Sequence, residues 1–131
     1  MKSTRPPESA RVISDHGLKA VRGGYRIDIR LPWYRSLPVS TVEVGEIEID
    51  GRPVDLSTVT FELEGRREPL AAMPDMTDVV WYVLDSAYLN VPDSSASSGS
   101  PHDVVVTLNL YPPYIRGLKR VTRDRLTLTA E

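Results

Sequence analysis

The sequence predicts an all-β fold, a single antiparallel β-sandwich of about eight to nine strands. Three observations carry this. Apolar residues recur with a period of two along most of the chain. No window keeps the helical period of 3.6 for three turns. The 11 Pro and 8 Gly fall mostly between the apolar runs, where turns belong.

The elements follow in order. Arg11 to His16 is a candidate first strand. Gly23-Gly24 turns the chain into the next, where Tyr25, Ile27, Ile29 and Leu31 alternate with Arg26, Asp28 and Arg30. Val42 and Val44 alternate with Glu43, the phase slips at Gly45, and Ile47 and Ile49 resume the apolar face. One extra residue at a glycine predicts a β-bulge. Asp50-Gly51 reads as a tight hairpin turn. Val59, Phe61 and Leu63 alternate with Thr60 and Glu62, and Glu64-Gly65 turns the chain again. The continuous apolar run Val79 to Leu84 predicts a more deeply buried strand. Tyr88 to Val91 is short and stops at Pro92. Val104, Val106, Leu108 and Leu110 define a long strand, and Thr122 to Thr129 closes the chain with Leu126 and Leu128 on one face. Antiparallel pairing is expected, because the connections are too short for helical crossovers.

A chain of 131 residues suits one domain. Residues 1–10 are expected to be a flexible arm, since Pro6-Pro7 enters neither ladder nor helix interior. Residues 11–131 form the sandwich, with a Ser-rich loop at 93–101. The net charge of −2 gives no pull toward nucleic acid or anionic membranes. At 40% hydrophobic and 26% charged residues, the chain can build a core. The absence of Cys excludes disulfides, thiolate metal sites and a Cys nucleophile, and fits a cytoplasmic location. No apolar run follows the charged start, so no signal peptide is expected, and none approaches a membrane span.

Catalytic signals are weak. His16 and His102 are isolated, with no His or Cys at ligand spacing, so no metal site is expected. His102, after Ser-Gly-Ser-Pro, reads as an exposed loop residue, and His16 as a strand-end surface residue. No G-x-S-x-G elbow accompanies the serines, and Gly23-Gly24 lacks a phosphate-loop frame. Glu43, Glu46, Glu48 and Asp50 read as the wet face of a strand rather than a catalytic carboxylate pair. Arg116, Lys119, Arg120, Arg123 and Arg125 form a basic stretch near Tyr111 and Tyr114. It fits a charge-guarded edge better than a single-strand nucleic-acid groove. No catalytic residue is nominated.

The most informative segment is Leu31-Pro32-Trp33-Tyr34-Arg35-Ser36-Leu37-Pro38. Trp, Tyr and Arg are the types enriched at binding hot spots, and flanking prolines lower the entropy lost on binding. A Pro-flanked corner tucking Trp33 and Tyr34 into the core fits the residue types equally well. Trp81-Tyr82 and Tyr111-Pro112-Pro113-Tyr114 are further aromatic candidates. The expected partner-facing set is Trp33, Tyr34, Arg35, Trp81, Tyr82 and Tyr114.

Three segments resemble one family. Leu31 to Pro38 resembles the L-P-Y-Y-R-S-L-P segment of the small β subunit of bacterial C-glycoside deglycosidases. Ile47-Glu48-Ile49-Asp50-Gly51-Arg52-Pro53-Val54 is similar to that family's strand, D-G turn and following x-P-V. Thr77-Asp78-Val79-Val80-Trp81-Tyr82-Val83 resembles its T-D-x-W-W-F/Y segment, with Val80 in place of the first Trp. The resemblance implies a β-sandwich that docks on a larger (β/α)₈-barrel α subunit. That partner would carry a divalent metal, usually Mn²⁺, and the histidine base. Together they would split the C–C bond of 3-keto C-glycosides by a lyase-type elimination. No cofactor is expected in this chain, and self-association is an expectation only for the isolated subunit. A stand-alone carbohydrate-binding or structural module is the competing reading: a groove with convergent polar groups would favour it, and an aromatic-rich docking patch would favour the subunit.

Overall fold

The structure is a computed structural model that describes residues 11–131. The expected N-terminal arm at residues 1–10 lies outside the described residues. Eleven strands form among the described residues: β1 (Ile13–Val21), β2 (Gly24–Arg30), β3 (Leu37–Pro38), β4 (Val42–Ile49), β5 (Arg52–Pro53), β6 (Thr60–Leu63), β7 (Arg66–Pro69), β8 (Val80–Trp81), β9 (Ser86–Pro92), β10 (Pro101–Leu110) and β11 (Arg120–Thr129). Their pairings are antiparallel. The helical segments among the described residues are short 3₁₀ turns at Val39–Thr41, Leu56–Thr58 and Leu70–Asp75. No helix of the described residues is long and apolar enough to cross a membrane.

The chain is all-β, as the period-two pattern predicts, but it divides into three sheets rather than a single sandwich. One sheet has the order β1-β2-β9-β6-β7, a second β11-β10-β4-β5, and the third is the pair β3-β8. Apolar faces of both larger sheets meet in one core cluster that includes Ile27, Phe61 and Leu89 from one and Ile47, Val106 and Leu108 from the other. The extra strands are short pairs of two to four residues, too short to display an alternation.

Local chemistry explains the turns. Asp50 and Gly51 both take positive φ, 54° and 78°, as do Glu64 and Gly65 at 51° and 81°. This is the turn that matches the right-handed twist of paired strands, and Asp-Gly suits it. The slip at Gly45 is a bulge: Val44 faces Leu108 and Glu46 faces Thr107, leaving Gly45 without a partner. A Cβ there would come within 2.8 Å of Asn109 Nδ2, so the bulge packs closest with glycine.

β10 is an interior strand of its sheet, between β11 and β4. Val104, Val106, Leu108 and Leu110 are fully buried on its inner face. On its outer face Thr107 and Asn109 are shielded by Glu46 and Glu43, to which they donate at 3.2 and 2.8 Å. On the neighbouring edge strand β11, Asp124 points inward and is only 3% exposed. Its Oδ2 accepts the backbone N–H groups of Val12 and Ile13, each at 2.9 Å. An inward charge on an edge strand discourages sheet-to-sheet aggregation, and here it also joins the start of β1 to β11.

Two segments depart from expectation. The apolar run Val79 to Leu84 is not a buried strand: only Val80–Trp81 is extended. The chain then turns, with Asp85 N–H donating to the Tyr82 carbonyl at 2.9 Å, and Leu84 is 80% exposed. The first strand also runs further than Arg11 to His16. Its register slips between Ile13 and Leu18, where His16 has a φ of 59°, and this irregularity hides the alternation.

Candidate functional site

The Trp33 loop leaves the end of β2 and is pinned at both ends by buried Leu31 and Leu37. Between these anchors the chain turns tightly, Trp33 N–H donating to the Leu31 carbonyl at 2.9 Å. Tyr34 is 66% exposed, Arg35 is exposed and Trp33 is half-buried against the core margin. The Trp33 and Tyr34 rings lie 5.0 Å apart at 43°.

A second loop, between β10 and β11, completes the cluster. The Trp33 indole Nε1–H donates to the Tyr114 hydroxyl, which in turn donates to the Tyr34 hydroxyl at 3.3 Å. The Arg35 guanidinium sits 4.6 Å from the Tyr114 ring centre and that of Arg120 6.0 Å from the Trp33 ring. Lys119 Nζ is 5.9 Å from the Tyr111 ring. Desolvation, and next the hydrogen bond with Tyr34, push the Tyr114 phenol above its ordinary range. A phenol is neutral near neutral pH in any case, so the hydroxyl can donate in this relay. Rings held by one another lose little freedom on binding.

A groove of about 550 Å³ borders the cluster, lined among others by Arg30, Leu31, Trp33, Tyr34, Val83 and Leu84. The turn carrying Tyr82 is tied to the Trp33 loop, since Val83 N–H donates to Ser36 Oγ at 2.9 Å. Tyr82 is exposed in that turn. Arg30 braces the same turn, donating to the Leu84 carbonyl at 2.6 Å.

Of the six residues expected to face a partner, the fold gathers Trp33, Tyr34, Arg35 and Tyr114 into one cluster and leaves Tyr82 exposed in the adjoining turn. Trp81 is different: it is fully buried, packs edge-on to Phe61 at 5.6 Å and donates Nε1–H to the Asp85 carbonyl at 2.9 Å. It belongs to the core, because the turn that exposes Tyr82 drives its neighbour inward.

His102 also departs from the sequence reading. It is the second residue of β10, with a side chain only 15% exposed. Its Nδ1 lies 2.7 Å from Asp50 Oδ2 and its Nε2 3.1 Å from the Tyr25 hydroxyl. Asp50 also accepts the Asp103 N–H at 3.0 Å. The hydrogen bond with His102, and next the one from Asp103, hold the Asp50 carboxyl below its ordinary range. The link joins residues 52 and 77 positions apart, so no local motif could have announced it. Glu46 and Glu48 pair with Arg123 at 2.9 and 3.3 Å, which makes them the wet face of β4. Among the described residues, no group of three or more His, Cys, Asp or Glu side chains is arranged to hold a metal ion.

By class this is an all-β chain that displays a pre-ordered aromatic and cationic surface, composed of the residue types enriched at binding hot spots. Comparison with known proteins gives the family. The family model for the C-glycoside deglycosidase beta subunit matches residues 9–114. The chain is 36% identical over 105 residues to a 3'-dehydrocarminate deglycosidase beta subunit of Microbacterium sp, covering 80% of this chain and 79% of that protein. It is 32% identical over 105 residues, with the same coverage, to a C-glycoside deglycosidase beta subunit of Microbacterium trichothecenolyticum. A similar beta subunit of Arthrobacter globiformis is 32% identical over 104 residues, at 79% of each chain. The chain therefore belongs to the C-glycoside deglycosidase beta subunit family.

Proposed function

We propose that this chain is the non-catalytic β subunit of a heteromeric C-glycoside deglycosidase in the bacterial cytoplasm. It docks on and stabilises a (β/α)₈-barrel α subunit, which supplies the divalent metal, Mn²⁺, and the base. The assembly is a carbon–carbon lyase that splits the bond between a 3-keto sugar and its aromatic aglycone. Membership of a family named for its beta subunits supports a partner. The observation that carries the docking role is the Trp33–Tyr114–Tyr34 relay. The polar atoms of these three rings are turned toward one another, so the cluster offers ring surface rather than free polar groups to a partner. A sugar-binding module would instead aim such groups at the ligand, so the relay favours the subunit over the module.

The test is to purify this chain alone and with the barrel subunit and assay a 3-keto C-glycoside. Turnover should require the barrel subunit and rise when this chain is added. Turnover by the isolated chain, or a barrel subunit equally active and stable without it, would refute the reading.

A further inference from the structure

The outward sheet faces neutralise many of their own cations. Arg123 pairs with Glu46 and Glu48, Arg125 with Asp103, and Arg26 and Arg67 with Glu62. The loop end gathers several cations without such a partner. Arg35, Arg116, Lys119 and Arg120 form no ion pair with a described carboxylate. Three of them face aromatic rings instead: Arg35 over Tyr114, Arg120 toward Trp33 and Lys119 toward Tyr111. A chain of net charge −2 thus keeps an unneutralised cationic rim around its exposed aromatic cluster.

We infer that this surface receives an acidic face of the partner subunit, whose carboxylates pair with Arg35 and Arg120 around an apolar centre set on Trp33, Tyr34 and Tyr114. The inference rests on the docking role proposed above and adds the chemistry of the opposing surface. An arginine lying over a ring is already ordered, and the rim of N–H groups on its guanidinium stays open for a two-pronged carboxylate contact. Desolvated rings at the centre with charges at the rim is the usual division of labour in an interface: the centre sets affinity and the rim sets the encounter rate. The rim charges therefore act mainly on association, and salt screens them.

The experiment measures association of this chain with the co-purified barrel subunit by surface plasmon resonance at low and high salt. The variants are R35E/R120E, R35K/R120K and, as a charge reversal of half that size away from the cluster, R22E. Arg22 is exposed in the turn between β1 and β2. For the wild type the association rate should fall about tenfold or more as salt rises. R35E/R120E should lose about tenfold at low salt and most of the salt dependence. R35K/R120K should retain the salt dependence, and R22E should match the wild type. Circular dichroism confirms that each variant is folded. Equal losses in R22E and R35E/R120E, or none in either, would overturn the inference while leaving the docking role intact. Salt-dependent binding of an oligouridylate that is lost in R35E/R120E, with partner association unchanged, would overturn it in favour of a nucleic-acid surface. A wild type that fails to associate at either salt would refute the docking role itself, and this inference with it.

Discussion

The indole of Trp33 donates its hydrogen bond to the hydroxyl of Tyr114, a residue 81 positions away on the loop that follows β10. That bond joins loops from two different sheets. Trp33→Ala removes both the ring and the anchor for Tyr114. Association with the barrel subunit should weaken by about 2 kcal/mol or more, as is usual for a hot-spot aromatic. The isolated domain should stay folded, because Trp33 sits at the core margin. Calorimetry of the complex and thermal melting of the free chain together check this.

Trp81→Ala should behave in the opposite way. The ring is fully buried against Phe61, and deleting a large buried aromatic costs about 3–5 kcal/mol. Denaturant unfolding of the isolated chain measures the loss. Unchanged stability with weakened partner binding would return Trp81 to the interface.

Asp50 predicts a pH dependence. Its carboxyl is held below the ordinary range by the hydrogen bond with His102 first and the Asp103 N–H second. A folded pKa below the unfolded one contributes stability above the unfolded pKa, near 4, and loses it as pH falls through the folded pKa. Asp50→Asn should therefore be less stable than wild type at neutral pH, with the gap closing in the acid range. Urea midpoints from pH 7 down to about 2 read this directly. Asparagine keeps the turn, since it tolerates positive φ. A gap independent of pH would show that the carboxylate charge contributes nothing.

Asp124→Ala should destabilise the chain by about 3 kcal/mol. It leaves the Val12 and Ile13 N–H groups without their acceptor, and hydrogen bonds to a charged group contribute about 1.5–3 kcal/mol each. Hydrogen exchange should speed first at these two amides, where β1 begins. Uniform destabilisation with no local change at residues 12 and 13 would argue that Asp124 acts through other contacts.

The sequence by itself determined the features that depend on near neighbours. Alternation of Tyr25, Ile27 and Ile29 with charged residues specifies a half-buried strand, because successive side chains point to opposite faces. The phase slip at Gly45 specifies the bulge, and Asp50-Gly51 and Glu64-Gly65 specify their turns, because positive φ is set within two residues. The residues of the Leu31 to Pro38 loop carried the family resemblance. Only the tertiary structure decided which tryptophan stays at the core margin and which is fully buried. Trp33 and Trp81 both follow extended or apolar runs, yet one meets Tyr114 and the other Phe61. Likewise His102 becomes a half-buried hydrogen-bonded residue only when strand pairing sets it against Asp50 and Tyr25. Such outcomes depend on contacts between segments 20 to 81 residues apart. Strand periodicity constrains the face of each side chain, whereas the partner across the fold is set by sheet order and register.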